Sequence, residues 1–600
     1  MEVTPRMRSA IVLAVVFLLC VTDVARALVL CPAGCRCRRL QTGVSTDCRA
    51  VGLSSVPIHN IDPDTRLLDL RRNSIRLVRE DTFFGLTNLS TLLLDENRLS
   101  DIEPHAFRGL ASIVRLSLRR NKVKVLRTDA LSGVSGDESA CATASASRWN
   151  CVIDLRYNDV AAVERNAFAW VRRLSVLLGS GSDELTIDAY AFYGVRDVPR
   201  VEIRDVPSLT LKPRIFTNAE NVGAVVVSGT NVPVLRRFTF EGLKNVHRVE
   251  FTDCHLGDVQ PFAFSGIHYA ASPEVTWDAT RVTLARAASG SPPPYAVVAA
   301  AAATTTPEPE VPAGGLVNIS ECRVDVIPTD AFRDTNLASV VVADSVVSLV
   351  DELAFRGMSR MRVLVFSRSR IGALSGRCFG ALAHLRQLVL HETLVDEIPP
   401  YAFKDSEDIR LLSIVIPRNS SLVLRSLAFA GLIETKDFRI TGSRHTRLTI
   451  EVDAFQSMFG VTDFRIANVT LPVVARNTFR GLGKVTHFRL HNCRVTHIEE
   501  AAFGVSYGLG AIDTLDMSIG NALPCNCVTA TRMREFERTF SRYTVHCTEV
   551  DGRRRPITAD DYSADTCQTT SSAAVTILSA TTTTIAVCVL AVFCYITTAS

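Results

Sequence analysis

The chain has 600 residues, 17 cysteines and a formal charge of +4, with 47% hydrophobic and 21% charged residues. That apolar content excludes wholesale disorder, and Lys+Arg 66 against Asp+Glu 62 argues against a general nucleic-acid binder. An odd cysteine count in an exported chain needs an explanation.

In chain order, Arg6 and Arg8 precede the apolar run Ala10–Cys20, and Ala25-Arg26-Ala27 offers a small-x-small cleavage site. This layout predicts a signal peptide over 1–27, with Leu28 as the mature start. A cysteine cluster, Cys31, Cys35, Cys37 and Cys48, fills 28–60.

A ruler of about 24 residues then begins. Its marks are Phe83, Phe107, Leu131, Phe168, Phe192, Phe216, Phe240 and Phe264, then Phe332, Phe355, Phe379, Phe403, Phe429, Phe455, Phe479 and Phe503. Ten residues ahead of the early marks stand Asn73, Asn97, Asn121 and Asn158, within LxLxxNxI segments such as Leu68–Ile75 and Leu92–Leu99. Such a repeat is expected to point its two Leu inward from a short strand, to bond neighbouring turns through the Asn and to pack the Phe beneath the outer side. Later units place Ser182, Val206, Thr230, Cys254, Cys322, Ser345, Ser369, Thr393, Ser443, Val469 and Cys493 at the Asn position, with Asn419 a late return. Around Gly179–Ser182 the register is open by one residue.

Repeats 1–8 occupy 61–267 and repeats 9–16 occupy 316–520. An insert at 132–151 carries Cys141 and Cys151, whose bridging would pin it to the next strand. A second, at 268–315, is rich in Pro, Ala and Thr and reads as a disordered loop. Cys525, Cys527, Cys547 and Cys567 follow in 521–567. In the tail, 568–600, Ser571 and Ser572 precede an apolar stretch, Ile585–Ile596, and no residue from Ser571 to Ser600 is charged. That composition fits a glycolipid (GPI) anchor signal with Ser571 or Ser572 as attachment site, and a single-pass helix is the alternative.

The repeat motif, framed by cysteine clusters, resembles the extracellular leucine-rich repeat family with its LRRNT and LRRCT caps. With the tail included, the layout is similar to that of GPI-anchored insect adhesion proteins such as connectin. The resemblance implies an α/β leucine-rich repeat solenoid: a curved horseshoe with parallel strands on its concave face, loops and short helical turns outside, and disulfide-bonded ends. It also implies the pairings Cys31–Cys37, Cys35–Cys48, Cys525–Cys547 and Cys527–Cys567.

GxSxG, HExxH and phosphate-cradling motifs are absent from the sequence, so neither catalysis nor a cofactor or metal is expected. Binding is expected on the concave face, where equal strand positions form rows ~4.8 Å apart. Arg439, Arg465 and Arg489 fall in one row, and Arg71, Arg72, Arg119, Arg120 and Arg156 form a second basic group. Upstream, Val365 and Val389 hold the position of the first row, giving an apolar-to-basic gradient. The arginines are candidates for an acidic protein surface or a sulfated glycan, or form a solvated face without a ligand. Asn88, Asn318, Asn419 and Asn468 lie in N-x-S/T sequons, and Asn318 projects onto the concave face.

The expected role is a cell-surface recognition or adhesion protein, with no nucleic-acid partner and with homophilic binding left open. A co-receptor without its own signalling domain and a secreted matrix protein are the alternatives. Cleavage at both ends would remove Cys20, Cys588 and Cys594 and leave an even 14 cysteines.

Overall fold

The computed structural model describes residues 29–141, 151–179, 181–269, 315–358, 360–443, 445–499, 501–502, 514–517, 542–548 and 553–556. Two compact units divide the chain, one ending at Gly372 and the next beginning at Ala373.

The first unit opens with an antiparallel hairpin, Arg36–Leu40 against Gly43–Asp47, whose second strand pairs in parallel with Thr65–Asp69. Disulfides join Cys31 to Cys37 and Cys35 to Cys48 at this end. From Thr65 onward each coil adds one strand in parallel register, so that Leu68, Leu92, Leu116 and Ile153 stand in line. Side chains alternate across a strand. Leu68 and Leu70 therefore face the core, as do Val340 and Val342 later, all with no exposed surface.

Beneath the strands runs the aromatic spine. Phe168, Phe192, Phe216, Phe240 and Phe264 stack at centroid spacings of 4.9–6.3 Å. Phe264 meets Phe332 at 4.6 Å, although 44 more residues separate them than in an ordinary coil. The backbone ladder crosses the same gap in register, with Glu250 opposite Asn318. The stack is thus continuous in register between the coils that flank the second insert. The first is closed by a Cys141–Cys151 disulfide, with Cα atoms 5.7 Å apart. Trp149, inside that loop, lies outside the described residues.

Away from the inner face the coils are built of turns and short strands, and Ala224–Leu235 and Arg248–Val259 run on from it as single twelve-residue strands. Among the described residues, helix is confined to Glu138–Cys141 and a 3-10 turn at Ile58–Asn60. Among the described residues most of the expected helical turns are absent, because the coils bend on both sides of the spine residue through left-handed positions, for example His105 and Gly109 around Phe107. Such bends leave no run long enough for an α-turn. Trp170 holds one of these positions at φ 60°, and its ring covers Gly194, where a Cβ would lie 2.7 Å from the indole. Only glycine fits beneath it.

The second unit repeats the plan with strands Gln387–His391, Leu411–Val415, Asp437–Thr441, Asp463–Ala467, His487–His491 and Thr514–Met517. It carries a second aromatic column: Phe438, Phe464 and Phe488 stack at 4.8 and 4.9 Å from inward strand positions. Arg542–Thr548 extends this sheet and turns back on Arg554–Pro556. Cys547 there is disulfide-bonded, whereas Cys525, Cys527 and Cys567 lie outside the described residues, as do Phe503 and the segments 1–28 and 557–600. Among the described residues no helix is long and apolar enough to cross a membrane.

Candidate functional site

The outward side chain at the centre of each strand defines a row along the sheet. In the first unit the parallel strand pairing links Asp69, Leu93, Ser117, Asp154, Leu177, Glu202, Val226, Glu250, Asn318, Val341 and Val365. In the second they link Val389, Ser413, Arg439, Arg465, Arg489 and Asp516. The three arginines expected in one row do share it.

Two of the three are paired with carboxylates. Strand residues two apart share a face, and Asp437 and Asp463 stand two positions ahead of Arg439 and Arg465. Arg439 donates to Asp437 through Nε at 2.7 Å, and Arg489 reaches Asp463 in the preceding coil at 3.1 Å. Arg465 makes no ion pair among the described residues. The expected basic row is therefore a strip of alternating charge, and Asp516 ends it.

The N-terminal arginines are matched just as closely. Arg71 chelates Asp69 (2.9 and 2.7 Å) and Arg156 chelates Asp154 (3.0 and 2.8 Å), each from two residues further along the strand. Arg119 approaches Asp154 at 3.7 Å and lies 5.0 Å from the centre of the Tyr157 ring. Arg72 and Arg120 both reach Glu96, at 3.0 and 3.4 Å. Burial works to raise the Asp69 carboxyl, but the hydrogen bonds and charge of Arg71 outweigh it and hold the group below its ordinary value. The Arg71 and Arg156 guanidiniums are correspondingly raised by their carboxylate hydrogen bonds.

The sequence reading missed the acids. Asp69, Asp154 and Glu202 have side chains 6%, 2% and 2% exposed beneath their arginines. Glu202 is clamped by Arg200 and Arg204 at 2.6 and 2.7 Å. The signal was present as acid-x-Arg triplets, Asp69-Leu70-Arg71 and Asp154-Leu155-Arg156 among them. Tyr157, exposed between Arg119 and Arg120, had no comparable signal.

The gradient begins on buried side chains: Val365 and Val389 are 2% and 4% exposed. Asn318 lies between inward Val317 and Ile319 as expected, yet it is itself 8% exposed, so a glycan there would require the position to open. Asn88 and Asn419 are exposed. Asn468 is half-buried and accepts a 2.6 Å hydrogen bond from Asn492. Asn419 is no ladder residue. Ser413 sits at the strand centre, so Pro417 takes the ladder register and Asn419 lies in the turn beyond. Gly181, likewise, replaces Ser182 in its coil, because the strand centre there is Leu177. Ser571 and Ser572 lie outside the described residues.

The Leucine rich repeat family matches residues 63–134, and the BspA type Leucine rich repeat region matches 158–273, 325–447 and 424–522, more than half of the chain. The chain is 36% identical over 104 residues to Leucine-rich repeat-containing protein 3B of Danio rerio, covering 17% of this chain and 40% of that protein. It is 39% identical over 105 residues to human Reticulon-4 receptor-like 2, covering 17% and 24% of the two chains. With Sus scrofa biglycan it shares 42% over 71 residues, 12% and 24% of the two. The chain thus spans less than half the length of these relatives. Among solved structures, a Toll–Spatzle complex from Drosophila aligns over 80% of this chain and 58% of that one, with 14% identity and a TM-score of 0.32. Repeat periodicity, strand register, aromatic spine and family matches agree: the chain belongs to the leucine-rich repeat family.

Proposed function

We propose that this protein is a non-catalytic extracellular recognition and adhesion molecule that binds a protein partner on the strand face of its second unit. The observation carrying this reading is the mixed-charge strip of Asp437, Asp463, Arg439, Arg465 and Arg489, in which Asp437, Arg439, Asp463 and Arg489 keep side chains 27%, 23%, 37% and 32% exposed. Each arginine stands beside a carboxylate, so a sulfated glycan would meet repulsion along with attraction. A polar protein surface supplying both signs satisfies the strip. Disulfides at the N-terminal cap and insert support an oxidising, extracellular compartment, and the similarity to a receptor-like human protein supports a recognition role.

The test uses the full chain on cells. Changing Arg439, Arg465 and Arg489 together to Ser should weaken binding of a partner found by extracellular protein screening at least about 10-fold, as loss of even one good charged contact does. Unchanged binding would place the site elsewhere. Clustering between expressing cells would identify the partner as a second copy. The tether proposed from the composition of 568–600 is tested by phospholipase release from those cells.

A further inference from the structure

The described residues include four buried free cysteines, Cys254, Cys322, Cys378 and Cys493. Cys378 and Cys493 stand in separate coils. Cys254 and Cys322 differ: they occupy the same ladder position in the two coils that flank the 268–315 insert. The register pairs the next residues, His255 and Arg323, directly.

Parallel strands lie ~4.8 Å apart, within the Cα separation of ~4.4–6.8 Å that a disulfide spans. The pair Cys35–Cys48 closes at 4.3 Å in this same chain. The Cys254 N–H donates to Cys322 Sγ at 3.3 Å, which sets the two thiols against each other. That contact holds the Cys254 thiol below its ordinary value and pushes Cys322 up.

We propose that Cys254 and Cys322 are a site of disulfide formation, a covalent clasp joining the coils on either side of the insert. The oxidant is a disulfide, either a small-molecule disulfide or that of a folding catalyst. The thiolate of one cysteine attacks one of the oxidant's sulfurs, forming a mixed disulfide and releasing one thiolate. The thiolate of the other cysteine then attacks the first cysteine's Sγ, displacing the second thiolate. Two electrons pass to the oxidant disulfide, which leaves as two thiols once protonated by the two protons the cysteines gave up. Oxidation sacrifices the thiol hydrogen bonds to Val227 O (3.4 Å), Thr252 O (3.3 Å) and Ser320 O (3.1 Å). The spine and backbone ladder on both sides remain. Since both sulfurs are buried, the exchange takes place before these coils finish stacking or when they open. Afterwards a cut in the insert would leave the two sides joined.

The secreted protein is denatured without reductant, alkylated with N-ethylmaleimide and mapped by mass spectrometry. The clasp predicts label on Cys378 and Cys493, no label on Cys254 or Cys322, and one linked peptide containing both. Reduction before alkylation should convert that peptide into two labelled ones. In Cys254→Ser, Cys322 should become labelled. This variant should fold, because Ser345 and Ser369 already serve as ladder residues. Label on Cys254 and Cys322 in the unreduced wild-type protein, or absence of the linked peptide, would overturn the proposal.

Discussion

The coils carrying Asn73, Asn97, Asn121 and Asn158 and those carrying Thr230, Cys254, Cys322, Ser345 and Ser369 meet one demand with different side chains. Each Asn links coils with both ends of its amide. Asn97 Nδ2 donates to Leu94 O (3.0 Å) in its own coil and Leu70 O (2.9 Å) in the preceding one, while its Oδ1 accepts from Ile75 N at 3.2 Å. The smaller residues do less. Ser345 Oγ accepts from Cys322 N at 3.0 Å and donates chiefly to Ala343 O, 2.7 Å away in its own coil, while Ser369 Oγ accepts from Ser345 N at 3.2 Å. The backbone N–H groups of Val206, Cys254, Cys322 and Ser345 are still answered in this ladder, which is the condition burial imposes. What the late ladder lacks is the second strong donor to the preceding coil. The difference shows that the solenoid can keep its register on backbone pairing and spine, with asparagine supplying additional cohesion.

Removing the amide should have the largest effect on stability. Asn97→Ala leaves the Ile75 N–H unanswered and takes away two donated bonds, so unfolding stability should fall by about 3 kcal/mol, measured by denaturant titration. Asn97→Ser imports the late solution into an early coil and keeps an acceptor. Its cost should be about 1–2 kcal/mol. Ser369→Ala should cost about 1 kcal/mol, because it removes a shorter set of bonds. Equal losses for Asn97→Ala and Ser369→Ala would break the comparison. Hydrogen exchange at Ile75 and Ser345 in the two variants would show whether each loss stays local.

Much of this architecture was legible in sequence, for particular reasons. Spine and ladder repeat at a fixed offset, and Leu131 could be placed in the spine by spacing alone; it has no exposed surface. Where a coil grows to 26 residues, the offset no longer says on which side of the ladder residue the extra two lie. Counting back from Phe429 therefore chose Asn419 instead of Pro417. The charge rows were half legible. The arginines were read by register, but their acids were overlooked, although the i, i+2 spacing that places them on one face is a strand property visible in the sequence. The burial of Val365, Val389 and Asn318 on the strand face had no sequence signal. It depends on what surrounds the row, which periodicity does not encode.

The strand face offers a second comparison, and its effect on stability is the smallest expected here. In the first unit the acid takes the central row at Asp69, Asp154 and Glu202, with arginine at its side. In the second unit Arg439, Arg465 and Arg489 take the centre, with Asp437 and Asp463 at theirs. An acid in the central row is the more buried member: the Asp69 side chain is 6% exposed and that of Asp437 27%. Asp69 is held below its ordinary value in the folded chain, against the opposing pull of burial. A carboxyl depressed by folding contributes stability that is fully present above its unfolded pKa of ~3.9 and is lost as pH falls through the folded value. Acidification below about pH 4 should therefore loosen the Thr65–Asp69 coil, read as faster hydrogen exchange at Leu70 and Arg72, whose N–H groups bond Leu93 O and Asp95 O. Asp69→Asn should flatten this acid dependence while lowering stability at neutral pH, because the amide cannot chelate Arg71 as a carboxylate does. An unchanged acid limb in that variant would show that the central acid is matched to its arginine without being stabilised by it.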